Sequence, residues 1–403
     1  MKRFLQGHAT HPDWRFALTM VQSQLEAQRR GQGGREFCEP TLGWLYLTDH
    51  YAAAAEALLA ELQRHWPGVA WVGALGVGVA AGGVEYFDEP ALSVMMAELP
   101  TSDFRVFSGA RPLRHFAAHT AQVHADPATG ELAELVGDMA ERTATGYLFG
   151  GLASGRGRTL HIADAVLQGG LSGVAFDAKV ALVSRVTQGC QPVGRARRIT
   201  EATGNVITRL DGEPALDCLL ADLGVAGREP REALPRIRQT LVGVSDPAEA
   251  SEGAAARGAF GPDTRVRHLI GLDPGRRGIA IGEPAPEGLM LAFCQRHTEA
   301  ARRDLVRICA EIREELSPDE LPLPATLARA GGAGEPAESS GIAGAVYVSC
   351  SGRGGPHFGA PSAELQIVRR ALGDVPLAGF FAAGEIARHH VYGYTGVLTV
   401  FRR

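Results

Sequence analysis

Apolar residues recur at helical spacing at Trp14, Ala17, Leu18, Val21 and Leu25. Thr10 stands ahead of them as a possible N-cap with Pro12, and Gly31 supplies a stop, so the pattern predicts an amphipathic opening helix. The apolar run 42–47 reads as a strand, and Asp49 as the cap of an alanine- and leucine-rich helix reaching about Trp66. After the Pro67-Gly68 break, the run 69–75 reads as a second strand, which completes a β-α-β unit. Further strands are predicted at 91–99, 146–153, 173–176, 178–185, 266–272 and 289–293, and a short helix at 215–223. A longer helix at 298–316 carries Leu305, Ile308, Ile312 and Leu316 on one face. Residues 317–343 concentrate Pro, Gly, Ala and Ser without apolar periodicity, which predicts a linker or mobile loop. Beyond it come a strand at 345–348, a helix at 361–372, and strands at 376–381 and 395–401.

Strand, helix, strand and glycine motif therefore recur at both ends of the chain. In register, Tyr46 lies against Tyr347, and Gly73 and Gly78 match Gly379 and Gly384, each pair five residues apart. The expected fold is α/β: two lobes, each a mixed β-sheet flanked by helices, related by a weak internal β-α-β repeat. The lobes are expected at residues 1–230 and 231–403, meeting at a cleft.

Composition narrows the function. A chain of 403 residues with 45% hydrophobic and 21% charged residues is long enough for two to four packed cores. The net charge of -5 and the scattered arginines disfavour nucleic acid and anionic membrane as partners. There is no apolar run of about 18 residues and no signal-peptide core, so a cytoplasmic location is expected. Six cysteines without a CxxC pair read as reduced thiols rather than staples or zinc ligands. His115 and His119 lack further ligands for a metal site. The glycines at 73, 76 and 78 lead toward another strand instead of a helix, so neither metal nor dinucleotide cofactor is expected.

The chemistry concentrates near the C-terminus. The segment Cys350-Ser351-Gly352-Arg353 leaves a strand with backbone N–H groups, a hydroxyl and a guanidinium close together, a combination suited to an anion. The structural alternative is that Arg353 closes its own loop or pairs with Glu385. Glu385, following Gly384 at a strand end, presents a carboxylate for which a ligand ammonium is the natural partner; otherwise it accepts N–H bonds within its own turn. Tyr394 and Thr395 begin the last strand and are candidates to line the same cleft. Cys350 is either a nucleophile activated by His357 or a small buried filler at a strand end.

The motifs Val348-Ser349-Cys350-Ser351-Gly352-Arg353-Gly354, Ala378-Gly379-Phe380-Phe381-Ala382-Ala383-Gly384-Glu385-Ile386 and Tyr392-Gly393-Tyr394-Thr395-Gly396-Val397 resemble the FIST C domain. His11-Pro12-Asp13-Trp14, the Gly73 to Gly78 turn, Tyr147-Leu148-Phe149-Gly150-Gly151 and Pro192-Val193-Gly194 resemble its companion, FIST N. The resemblance implies an intracellular sensory module that binds a small ligand such as an amino acid and passes the signal to a partner. Val79 replaces the acidic residue usual at the first glycine turn, whereas Glu385 keeps it at the second, so the C-terminal half is expected to hold the polar site. With no transmitter segment after Arg403, the output is expected to go to a separate effector protein. The expected ligand contacts are Cys350, Ser351, Gly352, Arg353, Gly384, Glu385, Tyr394 and Thr395. The alternatives are a hydrolase or transferase using Cys350 or Ser351 with His357 as base, and an interaction scaffold with a vestigial pocket.

Overall fold

The strand–helix–strand unit occurs three times. In the computed structural model, which describes residues 4–30, 38–247, 260–261, 263–316 and 341–403, the first copy is strand Leu42–Thr48, helix Ala55–His65 and strand Ala70–Gly76. The second is Thr120–Ala125, Leu132–Glu141 and Leu148–Leu152, and the third is Ile342–Cys350, Ala363–Leu372 and Leu377–Ala382. The two strands of each copy are parallel, and each first strand also pairs antiparallel with a later one: Ala91–Ala97, Leu171–Phe176 and Thr395–Arg402 respectively. Each copy thus seeds a six-stranded mixed sheet. The fold is α/β, with mixed sheets flanked by helices, as expected.

One position explains why all three copies carry a glycine in the second strand. Gly73 faces Leu45, Gly150 faces Val123 and Gly379 faces Tyr347. A Cβ at these glycines would come within 1.8, 1.9 and 1.7 Å of the facing carbonyl oxygen, so the strands approach too closely for any side chain. Gly379→Ala is accordingly expected to destabilise the protein by about 3 kcal/mol. Gly109→Ala, with nothing within 4 Å of the added Cβ, should be nearly neutral in the same denaturant titration. The structural counterpart of Tyr347 is therefore Leu45, and the expected alignment with Tyr46 is one residue out of register.

The copies are interlocked by exchanged hairpins. Gly78–Ala81, which follows the first copy, pairs with Leu377–Ala382 of the third. His161–Ala163, which follows the second, pairs with Ala70–Gly76 of the first. Gly384–Arg388, which follows the third, pairs with Leu148–Leu152 of the second. Polar residues inside this assembly satisfy one another: Trp44 Nε1 donates to Gln122 Oε1 at 2.6 Å, and Gln122 Nε2 donates to the Tyr46 hydroxyl at 2.8 Å. The Tyr46 ring stacks on Phe380, with centroids 5.1 Å apart. Burial pushes the adjacent His124 down to about 3, so it is neutral at physiological pH.

Several elements differ from the sequence expectation. Thr10 ends a strand, Phe4–Thr10, and the helix Trp14–Arg29 is capped instead by Asp13, whose side chain accepts from Arg15 N at 2.8 Å. Asp49 opens a 3-10 turn, Asp49–Ala54, ahead of the helix proper. Residues 317–340 of the expected loop lie outside the described residues. No helix among the described residues is long and apolar enough to cross a membrane.

The chain divides into two compact units, 1–187 with 305–391 and 395–403, and 188–304 with 392–394. The first contains the three copies. The second is built on an eight-stranded sheet with its own apolar core, including Ile199, Leu219, Val242 and Phe293, beneath helices Ala215–Asp222 and Pro230–Arg238. The boundary expected near residue 230 falls inside this second unit.

Candidate functional site

The parallel strands of the third copy end side by side, with Cys350 opposite Ala382. The chain leaving the first of them makes a tight turn in which Arg353 N and Gly354 N both donate to Cys350 O. Ser351 N donates to Ala382 O at 2.8 Å, which ties this turn to the junction carrying Ala383, Gly384 and Glu385. Ala383 is exposed and Ser351 half-buried, so the junction reaches the surface beside the buried Glu385.

Glu385 is fully buried. Its Oε2 accepts from Thr395 Oγ1 at 2.6 Å and from Thr395 N at 3.1 Å, while Oε1 has no hydrogen-bond partner among the described residues. Burial raises its pKa from 4.5 to about 8, against the opposing pull of the Thr395 bonds and of the Arg353 charge. At neutral pH the side chain is chiefly a neutral acid.

Arg353 is also buried, at 1% exposure, and its Nε donates to Glu364 Oε1 at 2.7 Å. Nη2 donates to Thr187 Oγ1 at 3.2 Å, and the guanidinium lies 5.1 Å from the centroid of the Phe358 ring. Glu364 accepts in addition from the Tyr347 hydroxyl at 2.6 Å and from Ser349 Oγ at 3.1 Å. A buried ion pair with this many bonds to the carboxylate compensates much of its desolvation. Arg353 acts on Glu385 through its field, as its downward pull on that pKa indicates.

A third carboxyl arrives by the hairpin exchange. Glu85, on strand Val84–Phe87 of the first copy's hairpin, accepts from Leu365 N at 3.0 Å at the start of helix Ala363–Leu372. A carboxylate there complements the helix N-terminus. Burial, and then repulsion from Glu364, push its pKa up to about 7.

Of the residues expected from the sequence, Cys350, Ser351, Gly352, Arg353, Gly384, Glu385 and Thr395 belong to this region of the first unit. Tyr394 belongs to the second unit, where its hydroxyl lies 3.1 Å from His268 Nε2. His357 sits in the short turn Gly355–Phe358. Glu364, Tyr347, Ser349, Thr187 and Glu85 were not anticipated. One signal for Glu364 exists: residues 364, 368 and 372 form the buried stripe of its helix, and a carboxylate on such a stripe requires a partner.

The exchange also relates three positions. Val79, His161 and Glu385 each pair with the residue after a buried glycine, namely Phe380, Ala74 and Gly151. His161 is bonded at both ring nitrogens, to Ser172 Oγ at 2.6 Å and Gly169 O at 3.0 Å. Glu385 is the one of the three with an unpartnered buried atom among the described residues.

All six cysteines are buried, Cys350 at 6% exposure. Thiol alkylation of the native protein at neutral pH should therefore be slow at every one. Rapid, selective labelling of Cys350 would favour the nucleophile reading.

Comparison with known proteins identifies the family. The FIST N domain matches residues 41–213 and the FIST C domain residues 215–388. An uncharacterized protein of Mycobacterium tuberculosis is 32% identical over 413 residues, covering 98% of this chain and 98% of its own. An uncharacterized protein of Mycobacterium bovis is 32% identical over 416 residues, covering 98% and 97%. FIST domains are sensory, signal-transduction domains. Two domain matches in order, with full-length relatives, show that the chain belongs to the FIST family.

Proposed function

We propose that this chain is a sensory protein that binds a small amine-bearing ligand, such as an amino acid, at the strand junction of the third copy and reports occupancy to a separate protein. The observation that carries the reading is the unpartnered Oε1 of Glu385 beside a surface-reaching turn. A fully buried carboxyl oxygen with no partner among the described residues is costly, and once the carboxyl is ionised a ligand N–H would satisfy it. An ammonium would convert Glu385 from neutral acid to carboxylate and gain a charge-assisted bond. Arg353, engaged by Glu364, sets the local field instead of gripping the ligand carboxylate. Cys350, Ser351 and Gly384 shape the approach, and Thr395 holds the far oxygen of Glu385 in place. Signalling follows where the occupied state is favoured in one of two conformations that a partner distinguishes.

The test is thermal unfolding against amino acids and simple amines. A ligand at a hundredfold its dissociation constant should add about 2.7 kcal/mol of stability. Because the amine needs ionised Glu385, the shift should grow from pH 6 to about 8 and then level. A flat response across the panel, or an equal shift in Glu385→Gln, would count against the proposal.

A further inference from the structure

We infer that the first copy carries a second, independent site: a basic cleft at the opposite strand ends that takes a small ligand bearing two anionic groups. The cleft, about 470 Å³, opens where Leu42–Thr48 and Ala70–Gly76 begin, and Arg105, Arg111, Arg114, Asp164, Thr41 and Thr101 are among its lining residues. That volume lies within the range of small-molecule sites.

Its charge is unbalanced, with three guanidiniums against one carboxylate. Asp164 is committed on both oxygens: Oδ1 accepts from Trp71 N at 2.8 Å, and Oδ2 from Arg111 Nη1 at 3.0 Å. This bond orients Arg111 along the wall. The Arg105 guanidinium lies 5.9 Å from the centroid of the Phe116 ring, and neither Arg105 nor Arg114 has a carboxylate in ion-pair distance among the described residues. Two forked donors left over in a concave site suit phosphate or carboxylate oxygens.

The repeat supplies an internal comparison. At the corresponding strand ends of the third copy, where Ile342–Cys350 and Leu377–Ala382 begin, a side chain occupies the space. There Gln6 reaches in, its Oε1 accepting from Leu377 N at 2.8 Å, and the Arg369 stem covers Gly83. The register places Val106 where Gln6 stands: Gln6 faces Met95, the partner of Trp44, and Val106 faces Val174, the partner of Gln122. A shorter, apolar residue at that position leaves the first copy's groove open, and arginines surround the opening. One fold element is thus plugged in one copy and opened with positive charge in another.

Calorimetric titration of the full chain at low salt with inorganic pyrophosphate and, separately, succinate tests the site. Saturable binding of either anion, weakening as salt is added, is expected. Arg105→Gln/Arg114→Gln should weaken it by about tenfold or more, and so should Val106→Gln, which rebuilds the plug. Glu385→Gln should leave it unchanged, which separates this site from the one proposed above. Binding of pyrophosphate alone would assign a phosphate ligand, and of succinate alone a dicarboxylate. Absence of both at millimolar concentration, or equal binding by the arginine double variant, would overturn the inference.

Discussion

Changing Arg353 to Met while Glu364 stays in place is expected to destabilise the protein by about 3–5 kcal/mol, because it strands a buried carboxylate. Glu364 is fully buried and receives Arg353 Nε at 2.7 Å, with only the Tyr347 and Ser349 hydroxyls as further side-chain donors among the described residues. Removing both charges tells the pair apart from simple packing. Arg353→Met/Glu364→Leu should recover a substantial part of the loss, since an apolar pair of similar volume avoids the desolvation of two ions. Recovery should stop short of full, because the Tyr347 hydroxyl then lacks its acceptor, a deficit of about 1–3 kcal/mol. Guanidinium unfolding reads both variants. A single variant losing under about 1 kcal/mol would place Arg353 in solvent and undo the electrostatic description of the site.

Glu385→Gln is expected to change how stability depends on pH. The wild-type group holds its proton up to about 8 when folded and to 4.5 when unfolded. Between these values the folded state binds more proton, so its contribution is complete below 4.5 and is lost as pH rises toward 8. The slope from this one group is about 1.4 kcal/mol per pH unit. Two other buried groups also titrate, and both are common to the wild type and the variant. His124, held near 3 against an ordinary 6.5, adds stability as pH rises only up to 6.5. Glu85, raised from 4.5 to about 7, acts in the same sense as Glu385 but levels earlier. Between pH 7 and 8 the wild type should therefore lose stability that the Gln variant keeps. Parallel curves over that interval would mean that Glu385 is already ionised.

Much of this molecule is legible from local pattern. The opening helix, the first and last strand–helix–strand copies and the long helix over 298–316 all follow from apolar spacing. The second copy escaped because its first strand, Thr120–Ala125, carries Gln122 and His124 at buried positions, so polar residues break the apolar run. These side chains are buried because Trp44 and Tyr46 of another copy bond to them, a compensation visible only in three dimensions. The same limit applies at the site. Glu385 and Arg353 stood out by their motifs, whereas Glu85 lies 280 residues from Leu365, the residue it bonds, and only the exchanged hairpin joins them. The carboxylate that engages Arg353 is legible from the buried stripe of its helix, where a charge requires a partner.

The most direct test of the ligand proposal is a proton count. Calorimetric titration of the amine giving the largest thermal shift, run at pH 7 in two buffers of different ionisation enthalpy, measures protons exchanged on binding. With the Glu385 carboxyl at about 8, binding of an ammonium should release close to one proton per ligand, and Glu385→Gln should abolish the release. Binding with no proton exchanged, or with the same release from the variant, would contradict the claim that Glu385 receives the ligand.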